Sequence, residues 1–77
     1  MNIYVGNLPF SIGEEDLKKI FEEYGEVASA KIITDKFTGR GKGFGFVEMD
    51  SDDDAKNAIE ELNNAEVGGR NIKVNES

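Results

Sequence analysis

Lys42-Gly43-Phe44-Gly45-Phe46-Val47-Glu48-Met49 is the stretch that decides the fold. It alternates as a strand does, and residues two apart share a face. Gly45, Val47 and Met49 make an ordinary core face, so Phe44 and Phe46 fall on the other one. Leaving a Phe in water forgoes roughly 1.5–3 kcal/mol of burial. Two such rings on a face the core does not use call for a reason, and the flanking sequence supplies it.

Asn2-Ile3-Tyr4-Val5 alternates in the same way, with Ile3 and Val5 inward and Tyr4 outward. Gly6, Asn7 and Pro9 break that strand and shape the loop after it. Leu17, Ile20, Phe21 and Tyr24 stand at i, i+3, i+4 and i+7, which predicts a helix from about Glu14 to Tyr24. Glu14, Glu15 and Asp16 suit the positive end of its dipole, and Gly25 closes it as a C′ glycine. Val27 to Thr34 reads as the second strand, with Ala30 and Ile32 on one side and Ser29, Lys31 and Ile33 on the other. A basic, glycine-rich loop, Asp35 to Lys42, leads into the opening stretch.

Ser51 is a candidate N-cap for a second helix. Ala55, Ala58, Ile59 and Leu62 form its apolar stripe. Val67-Gly68-Gly69-Arg70 is a tight hairpin turn, and Ile72 and Val74 mark the last strand. The order is thus strand, helix, strand, strand, helix, strand. Each helix has one apolar stripe, so the two cover only one side of a four-stranded sheet. The expected fold is α+β: a ferredoxin-like βαββαβ sandwich, with an antiparallel sheet and both helices packed on one face. Its first and third strands are central neighbours, which sets Tyr4 beside Phe44 and Phe46 on the uncovered face.

The composition excludes much else. Seventy-seven residues make one domain, residues 1–77. The chain has no Cys and no His, which removes disulfides, thiolate metal sites and the commonest general base. No apolar run is long enough for a membrane helix or signal peptide, so a cytoplasmic protein is expected, nuclear or organellar in a eukaryote. Neither a cofactor nor a metal is called for. Gly39 to Gly45 lacks the Ser or Thr and the following helix of a phosphate-binding P-loop. Asp50, Asp52, Asp54 and Glu61 fall at calcium-loop spacing. However, Ala55 replaces the turn glycine, and the apolar stripe demands helix there.

Three adjacent exposed rings suit single-stranded nucleic acid, because every base has a flat face to stack on them. Gly43 and Gly45 are expected to keep the strand free of bulk between the rings. The octamer fits the pattern K/R-G-F/Y-G/A-F-V-x-F/Y at seven of eight places, Met49 being the departure. Ile3-Tyr4-Val5-Gly6-Asn7-Leu8 matches the shorter companion motif. On these two motifs the chain resembles the RNA-recognition-motif family over essentially its whole length, and within it the small single-motif RNA-binding proteins of bacteria and organelles.

The resemblance implies roles. Tyr4 and Phe46 each stack under a base, Phe44 wedges against the sugars between, and Lys42 meets a phosphate. Lys31 and Lys73 face the same surface from the flanking strands. Asn2 reaches a base edge, Arg40 and Lys36 reach over the RNA from their loop, and Asn75 and Glu76 contribute main-chain contacts after the last strand. The expected partner is single-stranded RNA, with single-stranded DNA as a second substrate, and the expected state is a monomer without catalysis. A protein-interaction variant of the same fold is the alternative. An acylphosphatase-like enzyme would want an Arg between Gly6 and Gly13, where there is none.

The net charge of −7 argues against a nucleic-acid partner until its distribution is considered. Of sixteen acidic residues, six lie between Glu14 and Glu26 and six between Asp50 and Glu61, on the helices and their flanks. Val27 to Val47 holds four basic residues against Asp35 alone. Screening over roughly 8–10 Å lets those near charges govern the sheet side. Glu48 is the exception, since it shares the parity of Phe44 and Phe46.

Overall fold

The computed structural model describes residues 1–9, 12–33 and 43–77. Its elements are β1 (Asn2–Leu8), α1 (Glu14–Glu22), β2 (Val27–Ile33), β3 (Gly43–Met49), α2 (Asp52–Leu62), β4 (Glu66–Val67), β5 (Arg70–Asn71) and β6 (Lys73–Glu76). The main sheet runs β2-β3-β1-β6 and is antiparallel throughout, while β4 and β5 form a separate hairpin. The expected sandwich is therefore present, with β3 and β1 at its centre.

The core lies between the sheet and the helices. Ile3, Val5 and Val47 from the strands meet Leu17 and Phe21 of α1 and Ala55 and Ala58 of α2, all fully buried. Helix α1 begins with Asp16 Oδ2 accepting from Gly13 N at 3.2 Å. Helix α2 begins as expected, with Ser51 Oγ accepting from Asp54 N at 3.3 Å. The acids Asp52, Asp53 and Asp54 fill its first turn, where the dipole favours them. That placement makes the Asp50–Glu61 segment a helix start rather than a calcium loop.

Two bulges adjust the register. On β2, Val27 pairs with Met49 and Ser29 with Glu48, so Ala28 is an extra residue. It lets Val27 join the core while Ser29, Lys31 and Ile33 stay on the open face. On β1, Gly6 and Asn7 together oppose Phe44, between the pairs Val5–Gly45 and Leu8–Gly43. Asn7 sits at φ 58°, and its Nδ2 donates to Asn71 O at 2.9 Å. Asn tolerates that left-handed geometry better than most residues, which accounts for its place in the bulge. Gly6 and Asn7 therefore do not end the first strand, as the sequence suggests, but lie within β1, which runs on to Leu8.

Three further expectations need correction. Helix α1 stops at Glu22, and Gly25 is not a left-handed C′ residue: among the described glycines only Gly68 and Gly69 have positive φ, at 58° and 84°. Gly25 is instead needed for space, since a Cβ there would lie 2.7 Å from Cβ and Cγ of Asp54 on α2. Gly43 and Gly45 do not separate the rings. They point to the core side, where a Cβ on Gly45 would come within 2.5 Å of Lys31 O and 3.1 Å of Leu17 Cδ2. Their absent side chains leave room for Leu17 of α1 and for Leu8 of the neighbouring strand β1. Gly68 and Gly69 do make the expected turn, both in the conformation a two-residue hairpin loop requires.

Candidate nucleic-acid interface

Strand pairing fixes the open face as rows. One row runs Lys31, Phe46, Tyr4, Asn75 across β2, β3, β1 and β6. The next holds Ile33 and Phe44, then the Gly6–Asn7 bulge, then Lys73 opposite Gly6. On the other side of the first row lie Ser29, Glu48 and Asn2. The sandwich topology thus brings seven of the eleven expected contact residues onto one surface: Tyr4, Phe44, Phe46, Lys31, Lys73, Asn2 and, through its pairing with Tyr4, Asn75. Glu76 instead pairs with the core residue Ile3. Lys42 and Arg40, together with Lys36, lie outside the described residues.

The rings form a triangle. Centroids are 6.0 Å apart for Tyr4–Phe44, 5.9 Å for Tyr4–Phe46 and 5.9 Å for Phe44–Phe46. Tyr4 and Phe44 are tilted by 31°, whereas Phe46 stands edge-on to both, at 65° and 88°. Such edge-to-face packing suits the ring quadrupoles. Phe46 is 36% exposed, Tyr4 and Phe44 are half-buried, and none of the three joins the core cluster. The rings shield one another rather than lying under a helix.

Gly6 positions Tyr4. A Cβ on Gly6 would stand 2.8 Å from Tyr4 Oη and 3.0 Å from Cε1, so the phenol ring lies down over this glycine. The sequence marks Gly6 only as a strand breaker. Its second role is legible in hindsight from spacing alone, since residues two apart on a strand share a face. Ile33 is the other residue passed over. At 45% exposure it is the most exposed large hydrophobic among the described residues, and it extends the apolar surface beside Phe44.

The charged groups differ in their freedom. Lys31 is exposed next to Phe46 and forms no ion pair among the described residues. The Lys73 ammonium is held by Asn64 Oδ1 rather than standing free over the sheet. Asn64 is itself fixed at φ 68°, with its N–H donating to Ile72 O at 2.8 Å and its carbonyl accepting from Asn71 Nδ2 at 3.0 Å. On the far side, the helical acids are exposed, and Glu14 Oε2 accepts from Ile32 N at 3.1 Å. That bond blunts the β2 edge against pairing with another strand. Among the described residues no cluster of acidic side chains could hold a metal, and no helix is long and apolar enough to cross a membrane.

A four-stranded antiparallel sheet with helices on one face and an aromatic triangle on the other defines a ferredoxin-like sandwich built to bind through its sheet. The sequence profile of the RNA recognition motif matches residues 3–73, and the chain belongs to that family. It is 51% identical over its full length to the protein RbpE of Nostoc sp., of which it spans 78%. The crystal structure of RNA binding protein PG1 superimposes with a TM-score of 0.90 at 55% identity, covering 100% of this chain and 93% of that one. The RNA-recognition-motif structure of Rna15 with bound RNA (GU) gives a TM-score of 0.85 at 30% identity, over 99% of this chain and 81% of that one.

Proposed function

We propose that this chain binds single-stranded RNA across the open face of its sheet and works by binding alone, as a monomer. Tyr4 and Phe46 stack under successive bases, and Phe44 packs against the sugars between them. Lys31 offers a phosphate contact beside Phe46. Lys73, held by Asn64, offers another beside Gly6, and Asn2 and Asn75 meet base edges at the two flanks. Lys42 and Arg40 add cations from the loop before β3. The surface has room for about two to four nucleotides.

The observation that carries this reading is the aromatic triangle, with rings about 6 Å apart, outside the core and partly exposed. An exposed apolar patch of this kind marks a binding surface. Stacking on it is worth roughly 1–3 kcal/mol per base and tolerates any base. Because stacking does not use the 2′-hydroxyl, single-stranded DNA should bind to the same rings. With few cations on the face, affinity is modest and its salt slope shallow.

Titration with pools of short RNA, followed by backbone amide shifts, tests the proposal. Shifts concentrated on β1 and β3 support it. Shifts confined to α1 and α2 would overturn it in favour of a protein-interaction role.

A further inference from the structure

Glu48 is an exposed carboxylate at the centre of the row Ser29, Glu48, Asn2, on the same face as the rings. Its Oε2 accepts from Ser29 Oγ at 3.4 Å. Among the described residues no cation is paired with it, although Lys31 stands only one row away. A bare carboxylate repels any phosphate that approaches, so the RNA backbone will not lie over this row. A base edge is different, because it can bring N–H donors.

Residues two apart on a strand are separated by about 7 Å. A base stacked on Phe46 therefore puts its edge within reach of the Glu48 side chain. The carboxylate only accepts hydrogen bonds, and its two oxygens can take two parallel donors. Guanine offers that pair, N1–H and the N2 amine side by side on its Watson–Crick edge. Adenine and cytosine offer one amine next to a ring acceptor. Uracil offers one N–H between two carbonyl oxygens, each of which the carboxylate repels. Unpaired bases are read along such edges when the strand is single.

We propose that Glu48 is the specificity-determining residue of this face, selecting guanine for the base stacked on Phe46, with the Ser29 hydroxyl orienting the carboxylate. The inference rests on the RNA-binding reading above. Fluorescence anisotropy with short oligouridine, and with the same oligomer carrying one central guanine, adenine or cytosine, tests it on the full chain and on Glu48→Gln. The wild-type chain should bind the guanine oligomer at least about fivefold tighter than oligouridine, the lower end of what a bidentate contact gives. In Glu48→Gln that ratio should fall below about twofold, with oligouridine binding unchanged or tighter. Equal wild-type binding to all four oligomers would overturn the inference and leave the RNA-binding reading intact. So would a Glu48→Gln variant that keeps the guanine preference, or one that tightens on all four oligomers alike. Failure of the wild-type chain to bind any of them would instead refute RNA binding itself, and this inference with it.

Discussion

Gly6→Ala tests the seating of Tyr4 while leaving the tyrosine itself in place. The added Cβ would sit 2.8 Å from Tyr4 Oη, where ordinary contact begins at 3.4 Å, so the hydroxyl end of the ring must lift by about 0.6 Å. The Gly6 backbone is not among the left-handed residues, and alanine fits it without strain. With Tyr4 present, the lifted ring meets a base poorly. The loss is a fraction of one stack, about 1 kcal/mol of the roughly 1–3 available, or about a fivefold rise in Kd. In a Tyr4→Ala background the clash is gone. There, Gly6→Ala should leave Kd unchanged and stabilise the fold by about 0.4–1 kcal/mol through the unfolded chain. The assay is a double-mutant cycle, with RNA affinity by anisotropy and stability by thermal melting of all four proteins. An equal rise in Kd in both backgrounds would refute the positioning argument, as would no rise when Tyr4 is present.

Gly45→Ala should act on the fold instead. Its Cβ meets Lys31 O at 2.5 Å and Leu17 Cδ2 at 3.1 Å, and a backbone carbonyl cannot swing aside. Overpacking of this kind costs about 1–3 kcal/mol, so the melting temperature falls by several degrees while RNA binding, measured below the melt, persists. Lys31→Ala should weaken RNA binding a few-fold and reduce the slope of log K against log salt by about 0.7, the value of one single-strand phosphate contact. An unchanged slope would remove Lys31 from the contact set.

Much of this architecture is legible in the chain because its signals are redundant. The helix stripes at Leu17–Phe21 and Ala55–Leu62, the Ser51 cap and the Gly68-Gly69 turn each point to the same sandwich. The rings follow from parity along β3 and β1. What parity misses is any place where the period of two breaks. Ala28 is apolar, small and exposed, so nothing in its chemistry reveals that it bulges and turns Val27 into the core. Glycines are the second blind spot, because one letter serves several physical needs. Gly25 and Gly45 give room for a close approach, Gly6 gives a bed for Tyr4, and among the described glycines only Gly68 and Gly69 need a left-handed backbone. Lys73 shows a third limit. Its face was readable, but its hold on Asn64, nine residues away, depends on how the β4–β5 hairpin returns the chain to the sheet.

The most direct measurement pairs RNA affinity with thermal melting for the double variant Phe44→Ala with Phe46→Ala. Loss of both rings should raise Kd by at least about fivefold, since the base stacked on Phe46 alone contributes roughly 1–3 kcal/mol. The variant should still fold, at a cost well below the roughly 3–5 kcal/mol of deleting a core Phe. A folded variant that binds RNA as tightly as the unaltered chain would contradict the account.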